Sequence, residues 1–154
     1  MGDVSVHRVV EAAVRTAQLA PGAAGRPIRA QGIAGDLEWR LDPELIEQVL
    51  VNLLINGCEA SPPGEAVELR TDVLDDSLRF VVRDHGTGMT PAARTRLFHP
   101  FFSTKRDGNG LGLAVSRNIV REHGGRIDVL PNNGRGTAFQ VVLPRAEAPC
   151  ASRS

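Results

Sequence analysis

A chain of 154 residues is long enough for one domain with a sizeable core, and 42% hydrophobic and 23% charged residues are ordinary for a soluble globular protein. Eighteen basic residues balance eighteen acidic ones, and five Phe, one Trp and no Tyr make a poor stacking platform, so neither bulk nor single-stranded nucleic-acid binding is expected. No apolar run approaches the ~20 residues of a membrane span and no signal-peptide pattern opens the chain, so a cytoplasmic location without membrane contact is expected.

From the N-terminus, apolar residues at 6, 9, 10, 13, 14 and 17 predict a helix over Val4 to Leu19, with Arg8, Glu11 and Arg15 on its outer side. After a loop at Pro21 to Gly25, weak alternation over Pro27 to Ile33 and Leu37 to Leu41, split by Gly35-Asp36, predicts an antiparallel strand pair. The strongest helix follows. Asp42 suits the N-cap, Pro43 the first helical position and Glu44 the positive end of the dipole. Leu45, Val49, Leu53 and Ile46, Leu50, Leu54 form its apolar face, and Ser61-Pro62-Pro63-Gly64 ends it. Asn52 and Asn56 share one stripe of this helix, with Gln48 a turn earlier. Asparagine is a poor residue for a helix interior. The pair is therefore either a metal and phosphate site or a set of amides bridging to loop backbone.

Ala66 to Leu74 and Leu78 to Val82 predict two strands around a tight Asp75-Asp76 turn, and Thr90-Pro91 opens a short helix to Leu97. Phe98, Phe101 and Phe102 are expected to anchor a loop, and Ser103 to Gly108 is short and polar. Leu113 to Glu122 predicts a helix with Leu113, Val115, Ile119 and Val120 apolar, ended by His123-Gly124-Gly125. Arg126 to Leu130 and Thr137 to Leu143 close the chain as strands, before a tail at 146–154 expected to be disordered. Hairpins alternating with helices predict an α/β (α+β) two-layer sandwich with a mixed, mostly antiparallel sheet and helices on one face. Cys58 and Cys150 have no metal-ligand spacing and are expected to be free thiols.

Two glycine clusters flank this middle segment, Asp84-His85-Gly86-Thr87-Gly88 and Gly108-Asn109-Gly110-Leu111-Gly112. Alternate glycines let backbone approach a ligand closely, and the second cluster feeds a helix N-terminus whose free N–H groups suit phosphate. Asp84, a carboxylate at a strand end, is an acceptor for an amino group or base edge. Together these read as a nucleotide pocket. The common phosphate patterns are absent: there is no G-x-x-x-x-G-K-[ST], and Pro91 and Leu113 occupy the third-glycine positions of G-x-G-x-x-G.

In order, Asn52-Leu53-Leu54-Ile55-Asn56, Asp84-His85-Gly86-Thr87-Gly88, Leu97-Phe98-His99-Pro100-Phe101-Phe102, Gly108-Asn109-Gly110-Leu111-Gly112-Leu113 and Gly134-Arg135-Gly136-Thr137-Ala138-Phe139 resemble the five boxes of a known family. It is the ATP-binding catalytic domain of bacterial sensor histidine kinases (Bergerat fold), in the superfamily that includes gyrase B and MutL. One box alone is a weak signal; five in order are specific. The resemblance spans roughly Val4 to Pro144, so 1–145 is expected to be one catalytic domain. Its short lid and Ser103-Thr104-Lys105 are similar to the nitrogen-regulation and oxygen-sensing kinases.

The resemblance implies ATP and Mg²⁺ as ligands, with Asn56 on the metal and Asn52 assisting, and Asp84 accepting from the adenine amine. It implies that Gly86 and Gly88 turn under the base, that Gly110 and Gly112 admit the phosphates, and that Thr137 supports the adenine side. Met89, Phe98, Gly108, Leu111 and Leu113 join these as nucleotide-binding positions. Lys105 is either a γ-phosphate contact, counted with Asn52 and Asn56 in catalysis, or a solvated loop charge. Position 52 separates branches of the superfamily. ATP-hydrolysing members and serine kinases of the anti-sigma type carry a glutamate there, able to act as a base. Asn52 has no such function, and a histidine substrate brings its own nucleophile.

The implied reaction is transfer of the γ-phosphoryl group to a histidine on a helical dimerisation hairpin, and onward to a response regulator. His7 lacks the phosphoacceptor context, so that hairpin is expected to be absent from this chain, and the isolated domain to be monomeric. Exposed apolar residues of the first helix and the phenylalanine loop are candidates for docking it. Gly57 stands where the family usually has alanine, at a helix cost of up to ~1 kcal/mol. His85 and His99 are expected at surface or supporting positions, and His123 is expected to be structural. A stand-alone serine kinase and a nucleotide-binding docking module are the rival readings.

Overall fold

The computed structural model describes residues 2–32, 37–85, 110–130 and 136–145. Its strands are β1 (Gly2–Ser5), β2 (Ile28–Gly32), β3 (Glu38–Leu41), β4 (Val67–Leu74), β5 (Ser77–Arg83), β6 (Arg126–Leu130) and β7 (Ala138–Pro144). Its helices are α1 (Val6–Gln18), α2 (Pro43–Ala60) and α3 (Gly110–Glu122), with a short 3₁₀ turn at Pro21–Ala23.

Five strands form one sheet in the order β2-β4-β5-β7-β6, parallel between β2 and β4 and antiparallel elsewhere. Period-two alternation puts one apolar set on the helix side. The register aligns Leu69, Val82, Phe139 and Val129 in one row and Thr71, Phe80, Val141 and Ile127 in the next. A third row is Val73, Leu78 and Leu143. Against this face packs α2 through Ile46, Val49, Leu50, Leu53, Leu54 and Cys58, all buried. Helices α1 and α3 flank α2. The other sheet face is polar: Arg79 grips Asp72 with two nitrogens at 2.9 Å and donates to Gln140 Oε1 at 3.2 Å. Asp75 and Asp76 have φ of 53° and 57°, the left-handed pair that a two-residue hairpin needs to match strand twist.

The three longer expected helices and the two later strand pairs are present, but the early strand pair is not. β2 pairs parallel with β4, and β3 pairs antiparallel with β1 in a separate two-stranded ribbon. Parallel neighbours need a crossover, and α2 between β2 and β4 supplies it. Strand β3 turns away because Trp39 and Leu41 alternate inward and are fully buried. Trp39 Nε1 donates to Pro144 O at 3.2 Å, and the Arg145 guanidinium lies 4.1 Å from the Trp39 ring centre while Arg145 Nε pairs with Asp76 at 2.8 Å. That clamp fastens the ribbon to the end of β7.

Helix α1 begins at Val6 rather than Val4, because Ser5 caps it by accepting from Arg8 N–H and residues 2–5 are taken up by pairing with β3. Its apolar residues Val6, Val9, Val10, Ala13 and Ala17 are buried within this domain. At the C-terminal end of the expected helix, Leu19 is exposed. On α3, Val115 is 38% exposed, and the inward row is Leu113, Ser116, Ile119 and Val120. The short helix expected to reach Leu97 and the tail at 146–154 lie outside the described residues. Among the described residues, no helix is long and apolar enough to cross a membrane.

Helix α3 ends at a glycine pair that sets its approach to the sheet. Gly124 has φ of +79°, and Gly125 N–H donates to Val120 O at 2.9 Å. A Cβ on Gly125 would stand 2.0 Å from Val142 O, a clash with backbone. Gly125→Ala is expected to cost about 2 kcal/mol or more, from the overpacking range; urea denaturation would measure it, and an unchanged midpoint would contradict the packing described.

Candidate functional site

Helix α2 carries its amide stripe along the boundary with α3. Asn52 and Asn56 are one turn apart and both half-buried. Asn52 Nδ2 donates to Ser116 Oγ at 3.3 Å, and Ser116 is completely buried. The two helices run antiparallel. At the far end of α2, Asp42 N–H donates to His123 Nε2 at 3.0 Å. The other ring nitrogen, Nδ1, lies 2.8 Å from Ile119 O and therefore carries the proton. Asp42 also caps α2, its Oδ1 accepting from the N–H groups of Glu44 and Leu45 at 3.1 and 3.2 Å. Asn56 lies four residues, about 6 Å along the axis, beyond Asn52, in the direction in which the antiparallel α3 runs back toward its start at Gly110.

The other side of the site is the end of β5. Asp84 is 3% exposed and is held by reciprocal bonds: its N–H donates to Thr137 O at 2.9 Å, and its Oδ1 accepts from Thr137 N–H at 3.0 Å. Helix α2 comes close to this pair. A Cβ on Gly57 would lie 3.4 Å from Asp84 Cβ and 3.3 Å from Val67 Cγ1. Glycine therefore lets α2 sit near the carboxylate, which is a local reason for its low helix propensity to be tolerated. Ser61 joins the two elements: its Oγ donates to Gly57 O at 2.9 Å and accepts from His85 N–H at 3.0 Å. His85 Nδ1 lies 2.8 Å from Ala66 O, so this ring braces the loop in a supporting position. Cys58, on the same helix, is a buried free thiol whose pKa is pushed up by burial.

Of the residues singled out in the sequence, the structure brings Asp84 to Thr137 and Asn52 to α3, places Asn56 one turn further along α2, and puts Gly110, Leu111 and Gly112 in the first turn of α3. Leu113 is part of the core. Gly86, Gly88, Met89, Phe98, His99, Lys105 and Gly108 lie outside the described residues, as do the phenylalanine loop and the short lid. Ser61 and Ser116 were not singled out. For Ser116 a signal existed: a small polar residue on the inward row of an otherwise apolar helix face.

The arrangement offers a buried carboxylate, a pair of neutral oxygen-bearing amides, and a helix start at Gly110. The family model "Histidine kinase-, DNA gyrase B-, and HSP90-like ATPase" matches residues 41–147, more than half of the chain. Sporulation kinase E of Bacillus subtilis is 40% identical over 104 residues, which cover 67% of this chain and 14% of that protein. The sensor histidine kinase ZraS of Escherichia coli is 36% identical over 121 residues, 77% of this chain and 26% of that protein. The chain thus spans a quarter or less of most such relatives' length. Among solved structures, the mycobacterial sensor histidine kinase MprB superposes with a TM-score of 0.81 at 26% identity, covering 93% of this chain and 97% of that one. Full-length ShkA in complex with AMPPNP superposes with a TM-score of 0.79 at 28% identity, covering 96% of this chain and 31% of that one.

The ties at the two ends of α2 are separately testable. Ser61→Ala and His123→Ala each strand a backbone group that has a side-chain partner, so each is expected to cost about 1–3 kcal/mol in urea denaturation. The two sites lie at opposite ends of an 18-residue helix, about 27 Å apart, so the double variant should show the sum. A double variant far from additive would contradict two independent anchors.

Proposed function

The chain belongs to the histidine kinase-, DNA gyrase B- and HSP90-like ATPase family, and from that premise we propose that it is the ATP-binding catalytic domain of a sensor histidine kinase. On this reading it transfers the γ-phosphoryl group of ATP to a histidine on a helical dimerisation hairpin, from which the phosphate passes to a response regulator. The observation that carries the reading is the geometry on either side of Gly57. A buried carboxylate locked to Thr137 stands close to α2, whose amide stripe is joined to α3 through Asn52 and Ser116.

Asp84 accepts a hydrogen bond from the exocyclic amine of adenine, and Thr137, by holding Oδ1, keeps the carboxylate aimed. Gly86 and Gly88 allow the backbone to pass under the base. The N–H groups at the start of α3, at Gly110 to Gly112, receive the phosphates together with the positive end of the helix dipole. Lys105 neutralises charge developing on the transferred group.

Side-chain amide oxygens are hard, neutral donors of the kind Mg²⁺ accepts beside phosphate oxygens and water, and two half-buried amides on one helix edge fit that demand. Asn56 is assigned as the ligand, with Asn52 assisting; the bound ion would supply positive charge between the phosphates. Neither amide can take a proton from a nucleophile at neutral pH. The domain therefore orients and neutralises rather than performing base catalysis, which suits an imidazole substrate that is itself nucleophilic. Short lid and Ser103-Thr104-Lys105 favour the nitrogen-regulation and oxygen-sensing branch.

Calorimetric titration with Mg-ATP should show binding in the micromolar to sub-millimolar range. Asp84→Asn and Asn56→Ala are each expected to weaken it by about tenfold or more, equivalent to ~1.4 kcal/mol. No binding by the unmodified chain would contradict the assignment. With a histidine-bearing hairpin supplied in trans, label from γ-phosphate should appear as acid-labile, alkali-stable phosphohistidine. Sustained phosphate release from ATP alone would point instead to an ATPase.

A further inference from the structure

We infer that Ser116 is a positioning residue for the metal and phosphate half of the site, acting through Asn52; the inference rests on the nucleotide-site reading above. Ser116 occupies the inward row of α3 with Leu113, Ile119 and Val120, at a position with no solvent exposure. A hydroxyl in such a row costs stability unless it is hydrogen-bonded, and alanine would pack there at less cost. Its partner is the Asn52 amide nitrogen, 3.3 Å away across the α2–α3 boundary.

A carboxamide is planar, with nitrogen and oxygen at opposite corners, and half a turn about its terminal torsion exchanges them. For metal or phosphate work the two orientations are opposite in effect. The oxygen is a ligand for a hard cation, whereas the NH₂ group repels it. By accepting from Nδ2, Ser116 holds the nitrogen against α3 and so fixes which corner the oxygen occupies. Ser116 also lies one turn beyond Gly112, on the helix whose first turn is assigned to the phosphates. One hydroxyl thus couples the orientation of the α2 amide to the placement of α3. Outer-shell hydrogen bonds of this kind commonly tune metal affinity about 10–100-fold.

The test is calorimetric titration of the chain with ATP over a series of free Mg²⁺ concentrations and in EDTA. Ser116→Ala removes the acceptor with little change in volume. Ser116→Cys keeps the volume with a much weaker acceptor, which separates lost packing from the lost hydrogen bond. Both are expected to raise the Mg²⁺ concentration for half-maximal enhancement of ATP binding by about tenfold, while affinity in EDTA stays within about twofold. Asn52→Ala should give a similar shift, and Asn52→Ala with Ser116→Ala no larger one. Wild-type Mg²⁺ dependence in both serine variants would overturn the inference, as would a double variant whose shift is the product of the single ones. If the unmodified chain fails to bind Mg-ATP, the nucleotide-site reading falls, and this inference with it.

Discussion

Helix α2 is tied down at both ends by side-chain hydrogen bonds, and the position of every assigned group depends on that. At its start, the Asp42 backbone donates to His123, just past the end of α3, while the Asp42 carboxylate caps the first turn. At its end, Ser61 links the carbonyl of Gly57 to the backbone N–H of His85, the residue after Asp84. Between these ties lies a close-packed apolar face, from Ile46 to Cys58, against the sheet. A helix held this way cannot slide or roll without breaking these hydrogen bonds, each worth about 1 kcal/mol net and more when a partner is stranded.

Because α2 is tied at both ends, a polar stripe on it is held in place. Asn52 and Asn56 add nothing to helix propensity, and their amides sit in half-buried surroundings where groups of unsuitable geometry would be costly. The stripe faces α3, whose start presents N–H groups, and ends beside Asp84, whose carboxylate is oriented by Thr137 across the β5–β7 pairing. On the proposed reading, three elements far apart in sequence thus supply the base acceptor, the metal-holding amides and the phosphate-binding helix start. Such preorganisation is what phosphoryl transfer asks of a protein, since little covalent work remains beyond positioning and charge compensation.

Much of this was legible in the sequence, for local reasons. Asp42-Pro43-Glu44 announces a helix start, Asp75-Asp76 a tight hairpin, and His123-Gly124-Gly125 a helix end; each depends on residues within a few positions of one another. The five boxes could be read in order for the same reason. What escaped was non-local. The segments that became β2 and β3 look like a hairpin, but their partners are β4 and β1, chosen by the crossover through α2 and by burial of Trp39 and Leu41. Strand β1, four residues long and without a pattern, exists only because β3 is beside it. Ser61 and Ser116 are ordinary residues until α2 is placed against β5 and α3. The apolar face of α1 was legible as a face, but its use in this domain's own core was not.

The central claim is that the end of β5 reads an adenine, with the Asp84 carboxylate as the acceptor. Base selectivity tests it most directly, because guanine presents a carbonyl oxygen where adenine presents an amine, and an acceptor facing an acceptor is repelled. Parallel calorimetric titrations with Mg-ATP and Mg-GTP should show ATP bound more tightly by a factor of about 10–100, the scale set by the roughly 1–3 kcal/mol that an unsatisfied buried acceptor costs. Equal affinity for the two nucleotides would contradict the account, and would mean that the phosphates are held while the Asp84–Thr137 pair serves only to close the sheet.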